Sequence, residues 1–142
     1  MGIRMNSIAA DLQRENQGDW VDIPPELFAD GDGVLLKVRA FSYQPYQIAR
    51  NKIVQKWSRS YGREPIPLDV AFKADGKLYA DFILLDWKGL DGDDGKPMPY
   101  TKEMAEDLLT NPEFRIFQNA VQYAAGKIML IAAEETKAEL KN

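Results

Sequence analysis

Phe114-Arg-Ile-Phe-Gln-Asn-Ala-Val-Gln-Tyr-Ala-Ala-Gly-Lys-Ile-Met-Leu-Ile-Ala132 sets the architecture expected of this chain. At roughly 100° per residue, Phe114, Phe117, Val121, Ala125, Ile128 and Ala132 fall within about 80° of one another on a helical projection. Ala120, Ala124, Ile131, Ile116, Tyr123 and Leu130 widen that apolar arc to about 220°, leaving Arg115, Gln118, Asn119 and Gln122 as the clearly polar positions. A surface helix needs an apolar arc of only about 100°. Two explanations stay open. Either this is a central helix covered on two sides by its neighbours, or part of the arc is kept for a partner or a second copy of the chain. In the second case Tyr123, Met129, Leu130 and Phe117 are the partner-binding candidates, and methionine suits surfaces that adapt to varied apolar partners.

Upstream, Asn111 before Pro112 is a helix-start signal, and Thr101 can cap a short helix over about 102–110. The loop at 91–99 is rich in Asp and Gly. Leu68 to Leu90 reads as a helical candidate weakened by Gly76. Its strongest part is Lys77 to Trp87, while Val70, Ala71 and Phe72 fit a strand equally well. Tyr46, Ala49, Ile53, Trp57 and Ser60 recur at helical spacing from 45 to 61, closed by Gly62. Trp20 to Ile23 and Val34 to Phe41 read as strands on either side of a turn cluster at 30–33, with Leu36, Val38 and Ala40 sharing one face. Ser7 can cap a brief helix running to about Asn16. The expectation is a mainly helical α+β fold, one domain over 1–142. It comprises an N-terminal helix and small β-hairpin over 1–42 and a bundle of about four helices over 43–137. Residues 138–142 are expected to fray.

Composition narrows the chemistry. The 142 residues include neither Cys nor His, which removes thiol nucleophiles, disulfides, Cys/His zinc sites and any Ser-His-Asp triad. No run of 18 apolar residues exists, so no membrane contact is expected. The N-terminus lacks the continuous apolar core of a secretory signal. A net charge of −4 does not steer the molecule toward nucleic acid or anionic lipid, and the acidity belongs to residues 67–142, with nine basic residues against fourteen acidic.

Asp91, Asp93 and Asp94 suggest a calcium loop, but Lys96 and Lys102 occupy positions where an EF-hand needs Gly and Glu. No metal is expected, and with no phosphate cradle no cofactor either. Lys52, Lys56, Arg59 and Arg63, spaced four, three and four, fall within about 60° on a helical projection. That face is an ordinary solvated one, a dock for an acidic protein surface, or a nucleic-acid contact. Asp81 with Asp86, or Asp69 with Asp75, are the remaining carboxylate pairs, and nothing in the sequence brings either together, so enzymatic activity is not expected.

Three short segments stand out: Gly18-Asp-Trp20, Val34-Leu-Leu-Lys-Val-Arg39 and especially Asp86-Trp-Lys-Gly-Leu90. The last of them leads into an Asp-Gly loop, Pro97-Met-Pro-Tyr-Thr-Lys-Glu103, Leu108-Leu109 and a final apolar helix. Over roughly residues 18–130 this arrangement resembles the tail assembly chaperones of long-tailed bacteriophages. The resemblance implies a non-enzymatic protein that binds the long helical tape-measure protein, and possibly the tail-tube protein, and keeps its client soluble during tail-tube assembly. It would act in the cytoplasm of the bacterial host and be absent from the mature virion. A homo-oligomer is favoured, with the basic face of the 45–61 helix meeting acidic residues of a client or another copy. The alternative is a small phage nucleic-acid-binding or packaging-related protein using that same face.

Overall fold

A computed structural model describes residues 2, 4–7, 9–28 and 31–141. Asp30 of the expected turn cluster, Asn142 at the expected frayed end and the Ser7 side chain lie outside the described residues. Helix α1 spans Leu12–Gln17 and is capped by Asp11, whose carboxylate accepts from Arg14 N at 3.0 Å, so the capping residue is Asp11 and not Ser7. Strands β1 (Asp19–Asp22) and β2 (Leu35–Val38) pair antiparallel, as the hairpin reading expects. Helix α2 (Gln44–Tyr61) ends at Gly62, where φ is +59°.

The largest departure from the sequence reading lies in 68–90. The first half is helix α3 (Leu68–Leu78). It widens into a π-helical turn, Tyr79–Ile83, and the second half becomes strand β3 (Leu84–Lys88). β3 adds to β2 antiparallel, so the expected hairpin is two strands of a three-stranded sheet in the order β1-β2-β3. The local reason is ambiguity of period: Leu78, Tyr79, Phe82, Ile83 and Leu85 satisfy helical spacing, while Leu84 to Lys88 can also pair as a strand. The π turn resolves it by changing direction at Ile83, and the free edge of β2 supplies the ladder. Gly89, at φ +83°, then ends β3 where a side chain would overlap the carbonyl oxygen of Gly33.

Helix α4 (Lys102–Thr110) starts where expected, with Thr101 Oγ1 accepting from Met104 N at 3.1 Å. Asn111 Oδ1 accepts from Glu113 N at 3.0 Å and opens a 3₁₀ turn leading into helix α5 (Arg115–Lys141). The helix therefore continues through most of the segment expected to fray. Near its end Glu135 pairs with Arg14 at 2.6 Å, and Arg14 also meets Asp19 at 3.2 Å. All three groups are exposed, so these pairs contribute at most about 1 kcal/mol each.

The core lies between α5 and the sheet and extends to the π turn and α4: Leu36, Val38, Ile83, Leu84, Leu109 and Val121 are fully buried. Trp87 stands at its centre, edge-on to Phe117 and Tyr100 with ring centroids 5.8 and 5.0 Å away, and its Nε1 donates to Met98 O at 2.8 Å. Phe28 packs edge-on against Phe117 from the other side.

Gln118, one of the clearly polar positions on the helical projection, is only 5% exposed. Its Nε2 donates to Phe72 O at 3.0 Å and Leu109 O at 3.1 Å, tying α5 to α3 and α4. Leu109 lies in the last turn of α4, where carbonyls lack intrahelical donors. α3 and α4 meet so closely that a Cβ on Gly76 would overlap the backbone carbonyl of Leu109. Gly76 thus marks a helix crossing and does not interrupt α3.

Two substitutions of the same chemical kind should therefore have opposite signs. Gly126 has nothing within 4 Å of where its Cβ would be, so Gly126→Ala should stabilise by about 0.5–1 kcal/mol through helix propensity, whereas Gly76→Ala should destabilise by roughly 2 kcal/mol. Gln118→Met, similar in volume but without donors, should cost about 1–3 kcal/mol. Urea unfolding midpoints measure all three.

Candidate functional site

The long helix presents the first candidate surface. Phe117, Gln118, Ala120, Val121, Ala124 and Ala125 are its buried positions, an arc of about 160°. This is narrower than the 220° apolar arc, and the excess is a stripe at seven-residue spacing: Ile116 (47% exposed), half-buried Tyr123 and Leu130 (66% exposed). Met129, 44% exposed, lies apart from that stripe by roughly 100°. Phe117 belongs to the core, since it is 4% exposed and locked between Phe28 and Trp87, so among the four α5 candidates it is a packing residue and not a surface one. Lys127 Nζ sits 5.7 Å from the Tyr123 ring centroid, placing a cation beside the stripe.

Helix α2 presents the second. Ala49, Ile53, Trp57 and Tyr61 are half-buried, and only Tyr46 is fully covered. Lys52, Lys56 and Arg59 are exposed along the helix, but Arg63 lies beyond the Gly62 cap and so is not part of their helical face. The four-membered stripe is three cations on α2. The carboxylate pairs do not assemble as units either. Asp81 pairs with Lys77 at 3.2 Å and Lys102 at 3.3 Å, and Asp86 accepts from Trp87 N. Asp69 is exposed, whereas Asp75 is half-buried on a different side of α3. In the 91–97 turn, Asp94 accepts from Lys96 N and Gly92 N donates to Lys96 O. Among the described residues no group of three or more acidic side chains is placed to hold a metal ion. No helix among them is long and apolar enough to cross a membrane.

The third candidate was not legible as a site. Tyr46 and Arg50 are four apart on α2, Asp75 and Tyr79 are four apart where α3 enters the π turn, and each pair therefore shares a helix face. The two faces meet, with Phe41 and Gln47, around a shallow open cleft of about 280 Å³. Phe41, Tyr46 and Tyr79 form its aromatic wall, with ring centroids 5.5, 5.7 and 6.3 Å apart. Gln122 Nε2 of α5 donates to the Tyr79 hydroxyl at 3.1 Å. Burial pushes the Asp75 carboxyl above its ordinary value, and Arg50 only partly opposes this. Burial likewise raises Tyr46, and it pushes Tyr79 up to about 12 against the lowering effect of the Gln122 bond. Sequence reading placed Tyr46 and Tyr79 as apolar helix positions and Asp75 in a carboxylate pair. The paired four-residue spacings were the available signal, but the contact between them is tertiary.

These shifts have pH consequences. The folded pKa of Asp75 stands above its unfolded value of 3.8, so its burial costs nothing in acid, and the cost grows as pH rises through that value and is complete above the folded pKa. Asp75→Asn should therefore raise the melting temperature at pH 7, with the gain vanishing toward pH 3. The raised Tyr79 pKa acts in the same sense at the alkaline end: its contribution is intact below pH about 10 and is lost as pH climbs through about 12. Tyr79→Phe should remove one late-ionising phenol from the absorbance titration at alkaline pH.

A family model described as "YdaY prophage protein" matches residues 41–142, the span from the start of the cleft through all of α5. No curated protein and no solved structure matches.

Proposed function

We propose, from the premise that this chain belongs to the YdaY prophage protein family, that it is a non-enzymatic tail assembly chaperone of its phage. Its client is the tape-measure protein, an extended helical chain whose apolar stripes aggregate unless covered. The observation that carries this reading is the outer stripe of α5, in which Ile116 and Leu130 are exposed and Tyr123 between them is half-buried.

A helix surface of this kind suits a helix-in-groove contact, in which apolar side chains at helical spacing interleave with those of the client. Met129 extends the apolar surface with a side chain that adapts its shape. The three cations of α2 contribute orientation by meeting acidic positions of the client or the acidic half of another copy, and the chaperone is a homo-oligomer on that account. The site of action is the host cytoplasm, and the protein leaves before the virion matures. The resemblance of Asp86-Trp-Lys-Gly-Leu90 to tail assembly chaperones supports the fold side of the reading, since Trp87 organises the core and Gly89 closes the strand. The nucleic-acid alternative has lost one of its four cations with Arg63 and draws support from no other feature.

Co-expression tests the proposal. The tape-measure protein of the same phage should move from the insoluble to the soluble fraction and co-purify with this chain. An unchanged soluble fraction with no co-purifying complex overturns the reading. Ile116→Lys and Leu130→Lys should abolish the effect while leaving the unfolding free energy within about 0.5 kcal/mol, because both side chains already face solvent.

A further inference from the structure

The cleft between α2 and the α3–π junction lies apart from the α5 stripe and has its own chemistry. Its wall is three aromatic rings, of which those of Tyr46 and Tyr79 are buried and that of Phe41 is half-buried. Its polar groups are Gln47, Arg50 and Asp75. Asp75 differs from most of the other half-buried acidic groups in one respect. Asp19, Asp81, Asp86 and Glu106 each accept a hydrogen bond or form an ion pair. Asp75, although half-buried, has neither among the described residues, and its interactions with Arg50, Tyr46 and Tyr79 are electrostatic only. Its oxygens keep contact with solvent, and a charged donor entering from outside replaces that water with a stronger, charge-assisted bond.

We propose that this cleft recognises an alkyl-guanidinium or alkyl-ammonium group, carried by an arginine or lysine side chain of a partner protein. The cation meets the Asp75 carboxylate while its stem packs against the Phe41 ring, combining a charge-assisted hydrogen bond with an apolar and cation–π contact. A volume of about 280 Å³ lies just below the usual range for small-molecule pockets and accommodates one long side chain. Arg50 is exposed and on the rim, so it acts as the chain's own competitor for Asp75 and must swing aside when the cation enters. An anionic ligand would use the cleft in the reverse sense, with Arg50 as its partner and Asp75 as the repelling group.

Amide chemical-shift titration with n-butylguanidinium and with Nα-acetyl-arginine amide tests this. Both should give saturable shifts centred on residues 46–50 and 75–79. Asp75→Asn, which keeps the side-chain shape, should weaken binding about tenfold or more, and Asp69→Asn, on the exposed side of α3, should leave it unchanged. Arg50→Gln should tighten binding, a result that a purely structural role for the cleft does not produce. No saturable shift with either probe overturns the proposal, as does undiminished binding by Asp75→Asn or weakened binding by Arg50→Gln. Saturation by butylguanidinium but not by the blocked arginine overturns the protein side chain as the source and leaves a free small cation in its place. None of these outcomes bears on the α5 stripe, so the cleft and the chaperone reading stand or fall separately.

Discussion

One buried amide holds the arrangement together. Gln118 donates from α5 to a carbonyl of α3 and to one of the last carbonyls of α4, and it can reach both only because Gly76 lets those two helices touch backbone to backbone. Leu109 O lies where a helix leaves its carbonyls without internal partners, so the same bond that crosslinks three helices also satisfies a group that would otherwise be buried and unpaired. After Leu78 the chain widens into the π turn, which feeds β3 onto the edge of β2. The third strand, the position of Trp87 and the seat of α5 on the sheet result from that exit.

The seat of α5 in turn divides its surface. Alanines at 120, 124 and 125 let the helix approach closely, and the space this leaves is filled by Phe117 and Val121 from α5 and by Trp87 from β3. A helix packed in this manner is covered over about 160°, and apolar residues outside that arc keep part of their surface in water. Ile116, Tyr123 and Leu130 are such residues, Tyr123 half-buried and the other two exposed.

The charged groups show a similar division between those whose interactions are internal and those without an internal partner among the described residues. Arg39 illustrates the first kind: it donates to Asn16 O and Phe82 O and lies 4.3 Å from the Tyr43 ring centroid, bracing β2 against α1 and the π turn. Asp81 is similarly engaged by two lysines. Lys52, Lys56 and Arg59 face solvent, whereas Asp75 is half-buried. Solvated cations cost nothing where they are, while burial raises the Asp75 pKa and makes its charged form the costlier one.

Elements with local signals were legible in the chain before it folded. Gly62 ends α2 because a left-handed residue is needed there, Thr101 and Asn111 open helices because their side chains satisfy free amides, and Leu36, Val38 and Ala40 alternate inward because a strand has period two. The surplus width of the apolar arc on α5 was also legible, since it depends only on helical geometry. The rest came from contacts between distant segments. Leu84 to Lys88 is a strand because β2 offers it an edge, Gln118 is buried because two carbonyls face it, and Phe117 is core because aromatic rings from β3 and the 25–28 turn close on it. The cleft was unreadable for the same reason: two ordinary four-residue spacings, far apart along the chain, become one site only when their helices are packed together, and that contact has no local signature.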